Sequence, residues 1–173
     1  MNNKYELLLA MTKRTLMTLS RILDAADIYV KEKGIPESEL LSAKLYPDMF
    51  DFTKQIQIAT DNGRKNMARL SGKEPVAMTD TETTIAELKE RVSKSLAVVE
   101  SFTASDFVDA DTRAITLPWF QGTHMLGKDF VDEFASANLF FHTVTAYDIL
   151  RAKGVPLTKS LFIGDMSMHP TAS

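Results

Sequence analysis

Cysteine is absent from this 173-residue chain. Its absence excludes disulfides, thiolate nucleophiles and cysteine-based zinc sites, and fits a reducing compartment. Long apolar runs are missing as well. No stretch approaches the ~18 consecutive apolar residues of a membrane span. The opening segment Met1–Leu23 is uncharged for no longer than Leu7–Thr12 and has no small-residue cleavage site after it, so it does not read as a signal peptide. The expectation is a cytoplasmic protein with no membrane association. A formal net charge of −3 and the lack of a basic patch with interleaved aromatics leave no electrostatic footprint for nucleic acid. There is no Gly-rich phosphate loop, no G-x-S-x-G motif, no internal repeat and no low-complexity segment.

What is present is globular: 45% apolar and 25% charged residues in a length that suits one domain, residues 1–173. Four long segments carry a helical period. Tyr5, Leu8, Leu9, Thr12, Leu16, Leu19, Leu23, Ala26 and Val30 share one face of the first, which Gly34 and Pro36 end. A second set, Leu7, Met11, Ile22, Ala25 and Tyr29, widens the stripe beyond one core contact. Pro36 is placed as the first residue of a short helix, and Pro47 as the first of a long one running to Leu70. Phe52, Ile56, Ala59, Gly63, Met67 and Leu70 form that helix's inner face, and the period carries through Asn62-Gly63. After the loop SGKEPVAMTDT, Thr79 and Glu82 resemble a capping box, with Asp80 and Thr81 as rival caps. The third helix shows Ile85, Leu88, Val92, Leu96, Val99 and Phe102 inward and Glu87, Glu90, Arg91 and Lys94 to solvent. Arg113–Leu117 and Thr123–Leu126 read as short strands around Trp119–Gly122, with Pro118 disturbing the register. The last helix, about 26 residues and roughly 39 Å, begins near Asp129 and stops at Gly154 and Pro156. It is apolar nearly all round, as a helix in contact on both sides should be. The fold class expected is all-α: an up-down antiparallel four-helix bundle with a small β-hairpin-like insertion before the last helix.

His142 is the histidine inside the strongest helical pattern. One turn on lie Thr145 and Ala146, so its own helix offers no second metal ligand at i+3 or i+4. It reads either as a core-filling imidazole or as a ligand. Gln55 and Asn62 share a face of the second long helix, and Asp51 and Asp61 add carboxylates; with one imidazole, such groups bind Zn, Ni or Mn or else form a polar edge of the core. His124 lies in the presumed hairpin, within reach of a bundle mouth or on the surface. Trp119-Phe120 either floors a pocket or anchors its loop, and Tyr147 lies on a further side of the last helix. His169 falls in the tail.

Two blocks then become recognisable. NLFFHTVTAYDILRAKGVPLTKSLFIG resembles the signature of the family called domain of unknown function 1993, and YPDMFDFTKQIQIATDNGRKNMARLSG, with TETTIAELKERV, is similar to its other helices. That family resembles the DinB/YfiT-like metalloenzyme superfamily. The resemblance implies a four-helix bundle, often dimeric. It also implies a metal site with one histidine from the second helix and two from the fourth. Here His142 alone matches the fourth-helix position, and no histidine occurs between Pro47 and Leu70. The expectation is therefore a pocket around His142, Gln55 and Asp61, with Trp119, His124 and Tyr147 as further lining residues. No cofactor is expected, Zn or Ni at His142 being the alternative. The wide apolar faces of the first and last helices point to a homodimer, and the pocket to a small-molecule ligand. The function expected is non-catalytic or ligand-binding. The alternative is a divergent metal-dependent enzyme of hydrolase or thiol transferase type using His142.

Overall fold

The computed structural model describes residues 3–169 and residue 171. It is mostly helical. Helix α1 (Asn3–Lys33) buries the predicted stripe from Tyr5 to Val30. The short α2 (Ser38–Leu41) follows, two residues beyond Pro36, and buries Leu40 and Leu41. Helix α3 (Phe52–Ser71) starts five residues later than Pro47 suggests. The reason is a better cap: the Asp51 carboxylate accepts the Lys54 N–H at 2.8 Å, while the Phe52 N–H is taken by the carbonyl of Ala43. Gly63 stays in this helix because α1 passes close by. A Cβ there would lie 3.2 Å from Thr12 Cγ2 and 3.6 Å from the Leu16 methyls.

Helix α4 (Ile85–Glu100) is capped by Thr84, not by Thr79, Asp80 or Thr81. Thr84 and Glu87 form the reciprocal box, and Glu87 also holds the Thr83 N–H. Two 3₁₀ turns (Ala104–Phe107 and Ala110–Thr112) lead to β1 (Ala114–Ile115), which pairs antiparallel with β2 (Met125–Leu126), Ala114 opposite Leu126 and Ile115 opposite Met125. This ladder is shorter than the expected strands. Pro118 has no N–H to give, and turns closed by Phe120 N–H to Leu117 and Thr123 N–H to Phe120 occupy the middle. The last long helix is continuous but uneven: α5 (Gly127–Phe130), a π-helical turn over Val131–Ala135, and α6 (Ser136–Ala152). A short α7 (Lys159–Ile163), absent from the sequence reading, closes the chain.

The helix directions correct the up-down antiparallel expectation. Gln55 and Asn62 of α3 meet His142 and Asn138 of α6 in reverse order, so α3 and α6 are antiparallel. Lys89 of α4 bonds Asp24 and Asp27 near the end of α1, while Phe107, just past α4, stacks on Tyr5 near its start, so α1 and α4 are antiparallel. Lys4 reaches Asp132 and Tyr29 reaches the carbonyl of Lys153, which makes α1 and the last helix parallel. Gln57 meets Glu82 and Thr60 meets Arg91, whereas Lys73, past the end of α3, pairs with Asp106, past the end of α4. Helices α3 and α4 therefore also run the same way. The order is up, down, down, up. The segment 72–84 is the physical reason: about 13 residues can span roughly 43 Å extended, more than the ~30 Å length of a 20-residue helix. It is a return strap along the bundle, not a tight turn.

Candidate functional site

Polar groups line the seam between α3 and α6. His142 Nδ1 lies 2.7 Å from Gln55 Oε1, and the Gln55 amide nitrogen donates to the carbonyl of Phe50 at 3.2 Å. A backbone carbonyl only accepts, so that second bond fixes which way the amide faces. Its oxygen therefore faces the imidazole, and Nδ1 must carry the proton. His142 is held as the Nδ1–H tautomer, with a lone pair on Nε2. Nε2 has no protein partner among the described residues, and it is not one of the sealed, unpartnered side-chain atoms, which are Asn62 Nδ2 and Arg64 Nε. Phe141 stands edge-on to the imidazole at 5.2 Å. Phe141 is 56% exposed, so one open aromatic ring flanks the site. Two turns along α3, Asn138 donates to Asn62 at 3.0 Å and continues the seam.

Burial holds His142 below its ordinary value of 6.5. The folded state thus prefers the neutral ring. As pH falls the unfolded chain takes up the proton first, so this contribution is complete above about pH 6.5 and is lost as pH falls through the lowered folded value. The expected result is that His142→Gln flattens the fall in stability below pH 6.5. Gln55→Glu should do the reverse to the ring itself. A carboxylate beside Nδ1 favours imidazolium and raises the titration midpoint. Urea unfolding across pH checks the first and NMR titration of the His142 ring the second, and a midpoint unmoved by Gln55→Glu would show that the two side chains do not meet.

The other expected pocket residues are not gathered here. Asp61 is six residues from Gln55, roughly a third of a turn away round α3. It pairs with Arg64, Lys65 and Arg91 instead. Tyr147 turns edge-on to Phe162 at 5.5 Å, on another side of α6. Trp119 is 61% exposed and packs against Phe120 and Phe134 at the end of the bundle where α3 finishes. His124 is exposed in the same connection, and His169 in the tail.

The sequence reading also missed a charged cluster. Arg91, expected in solvent, is buried. Its Nε donates to Thr60. One terminal nitrogen donates to the Thr79 carbonyl and Glu82, and the other to Asp61 and Asp80, all within 2.7–3.1 Å. All five guanidinium protons therefore have acceptors. Burial works against its charge, but Glu82, Asp61 and Asp80 together carry it above the ordinary arginine value. Arg64, also fully buried, binds the Val76 carbonyl and Asp61. The available signal was the surplus of carboxylates at Asp61, Asp80 and Glu82 beside two arginines on the flanks of apolar stripes.

As a metal site the seam fits poorly. It offers one imidazole and one amide oxygen, where Zn and Ni sites use several imidazoles or carboxylates. Thr145, at the i+3 position, gives its hydroxyl proton to the carbonyl of Phe141. Among the described residues no group of three or more His, Asp or Glu side chains comes together in a metal-binding arrangement. No described helix is long and apolar enough to cross a membrane.

Comparison with known proteins gives a consistent picture. No curated protein matches the chain. The crystal structure of a DinB family member protein from Shewanella denitrificans is similar, with 34% identity, a TM-score of 0.91, and 97% of each chain covered. The family model described as domain of unknown function (DUF1993) matches residues 5–163, which include α1 from Tyr5 onward, the His142 seam and α7. By that match the chain belongs to the DUF1993 family, and its fold is that of a DinB family member.

Proposed function

We propose that the chain is a DinB-like four-helix bundle with a small hairpin before its last helix, a homodimer in the cytoplasm that binds a small molecule or partner at the His142 seam and performs no metal chemistry. One observation carries this reading. The groups beside His142 are the Gln55 amide, 2.7 Å away, and the engaged Thr145 hydroxyl. They position the ring and its Nε2 lone pair as a hydrogen-bond acceptor, next to the exposed Phe141. The homodimer reading draws on apolar side chains left in the open on α1 (Leu7, Met17, Ile28) and on α6 (Phe141, Val144).

A second reading is a divergent DinB-like enzyme, of hydrolase or thiol transferase type, with His142 as ligand or general base. It draws on the same free Nε2 lone pair. Chelator-dialysed protein separates the two. The expected result is a folded, metal-free chain whose His142 ring signals do not move on adding one equivalent of Zn or Ni. Stoichiometric metal that survives dialysis and disappears in His142→Ala would overturn the first reading. The same samples should scatter light as a dimer at tens of micromolar, and a monomer there would remove the assembly.

A further inference from the structure

Helix α7 and the segment after it are pinned to α1 by their backbone carbonyls. Arg21 Nε donates to the carbonyl of Leu161 at 2.9 Å, Thr18 to that of Phe162 at 2.8 Å, and Arg14 to those of Ile163 and Asp165 at 2.9–3.3 Å. The acceptors advance along the chain while the donors step back along α1. The segment therefore runs antiparallel to α1, towards its start.

Beyond Asp165 come Met166, Ser167, Met168 and His169, outside any helix or strand and all exposed. Met166 is 64% and Met168 79% exposed. One exposed apolar side chain on its own needs no explanation. These do not stand alone. Among the described residues the exposed methionines are Met166, Met168 and Met17, the last on α1. Met17 and the half-buried Met11 lie three residues either side of Arg14, the residue that holds the segment down. Neither thioether of the segment nor the His169 ring has a hydrogen-bond partner among the described residues.

Two thioethers and an imidazole within four residues form a donor set for a soft monovalent cation. Thioether sulfur is neutral and polarizable and selects Cu(I), and imidazole suits copper as well. Harder divalent ions gain little from it. The Cα atoms of Met166 and Met168 are at most about 7 Å apart. Each side chain is unbranched with three rotatable bonds, so both sulfurs can turn to one ion. The exposed carboxylate of Asp165 adds negative charge next to the set.

We propose that Met166, Met168 and His169 hold one Cu(I) ion through two thioether sulfurs and one imidazole nitrogen. The site shares no residue with the His142 seam and is independent of the reading given there. Binding changes no oxidation state and needs no co-reactant.

The test is a titration of the full chain, methyl-labelled at methionine, with Cu(I) kept in solution by acetonitrile under argon. The methyl signals of Met166 and Met168 and the ring signals of His169 should shift together and saturate at one equivalent. The methyl of the buried Met67 and the ring of His142 should stay in place. The double variant Met166→Leu, Met168→Leu should bind Cu(I) at least about tenfold more weakly, one decade in Kd, and His169→Ala likewise. Leucine is close to methionine in volume and both positions are exposed, so the fold is not at stake. Zn(II) should move none of the methionine signals. Absence of shifts, shifts that do not saturate at one equivalent, unchanged affinity in either variant, equal binding of Zn(II), or saturation read at His142 instead would each overturn the site.

Discussion

Arg91→Leu is expected to cost about 3–5 kcal/mol of folding stability, the range for removing one partner of a buried ion cluster. The loss is large because the leucine strands what Arg91 now satisfies: Asp61, Asp80 and Glu82, the Thr60 hydroxyl and the Thr79 carbonyl. Urea unfolding of the two proteins measures it. The same variant should let a protease cut the strap near Lys73 under conditions that leave the wild type intact, since the bonds from Arg91 to Thr79, Asp80 and Glu82 would be gone. A loss below about 1 kcal/mol, typical of an exposed ion pair, would mean that Arg91 sits in water as the helical pattern alone suggested.

Gly127→Ala should be destabilising by about 3 kcal/mol, the upper end of the cost of overfilling a packed site. A Cβ at this position would lie 2.0 Å from the carbonyl oxygen of Ala110 and 3.4 Å from Leu70 Cδ2. The first of these is backbone and cannot rotate aside. Gly127 also gives its N–H to the carbonyl of Arg113 at 2.8 Å, so the two sides of the connection are tied together where they touch. Either the ladder between β1 and β2 opens or the start of α5 moves away from α3. Thermal unfolding reads the loss, and backbone amide shifts confined to residues near 110–115 and 125–130 locate it. A variant as stable as the parent would show that this close approach is not kept in solution.

The helices were legible because their signal is periodic and local. Leu16, Leu19 and Leu23 lie on one face by spacing alone, and they are fully buried. The starts of α3 and α4 were misread for a reason of the same kind. Pro47 and Thr79-x-x-Glu82 are good local signals, but Asp51 and Thr84 make better ones a few residues on, and tertiary contacts choose between them. Glu82 and Asp80 looked like helix caps because the sequence cannot show that a buried guanidinium needs them. Arg91 was placed in solvent for the same reason: its charge was visible and its three carboxylate partners, from two other segments, were not. In the site, His142 and Gln55 were both named, and they meet. Asp61, Tyr147, Trp119 and His124 were named with them and lie elsewhere, because sequence spacing orders residues on one helix but does not say which faces of two helices touch.

The up-down-down-up order also bears on how quickly the chain can fold. In a simple up-down bundle each helix packs antiparallel on its neighbour in sequence, and a local helical hairpin forms early. Here the pairing of α1 with the last helix joins positions more than a hundred residues apart, as Lys4–Asp132 and Tyr29–Lys153 show. Helices α3 and α4 align only after the strap has crossed the full length of the bundle. Such non-local contacts carry their loop-closure cost before any burial repays it. An all-helical protein of this topology belongs, by rate, with mixed α/β domains rather than with fast bundles, and a circular permutant that joins α7 directly to α1 should bring its slowest contact within short range.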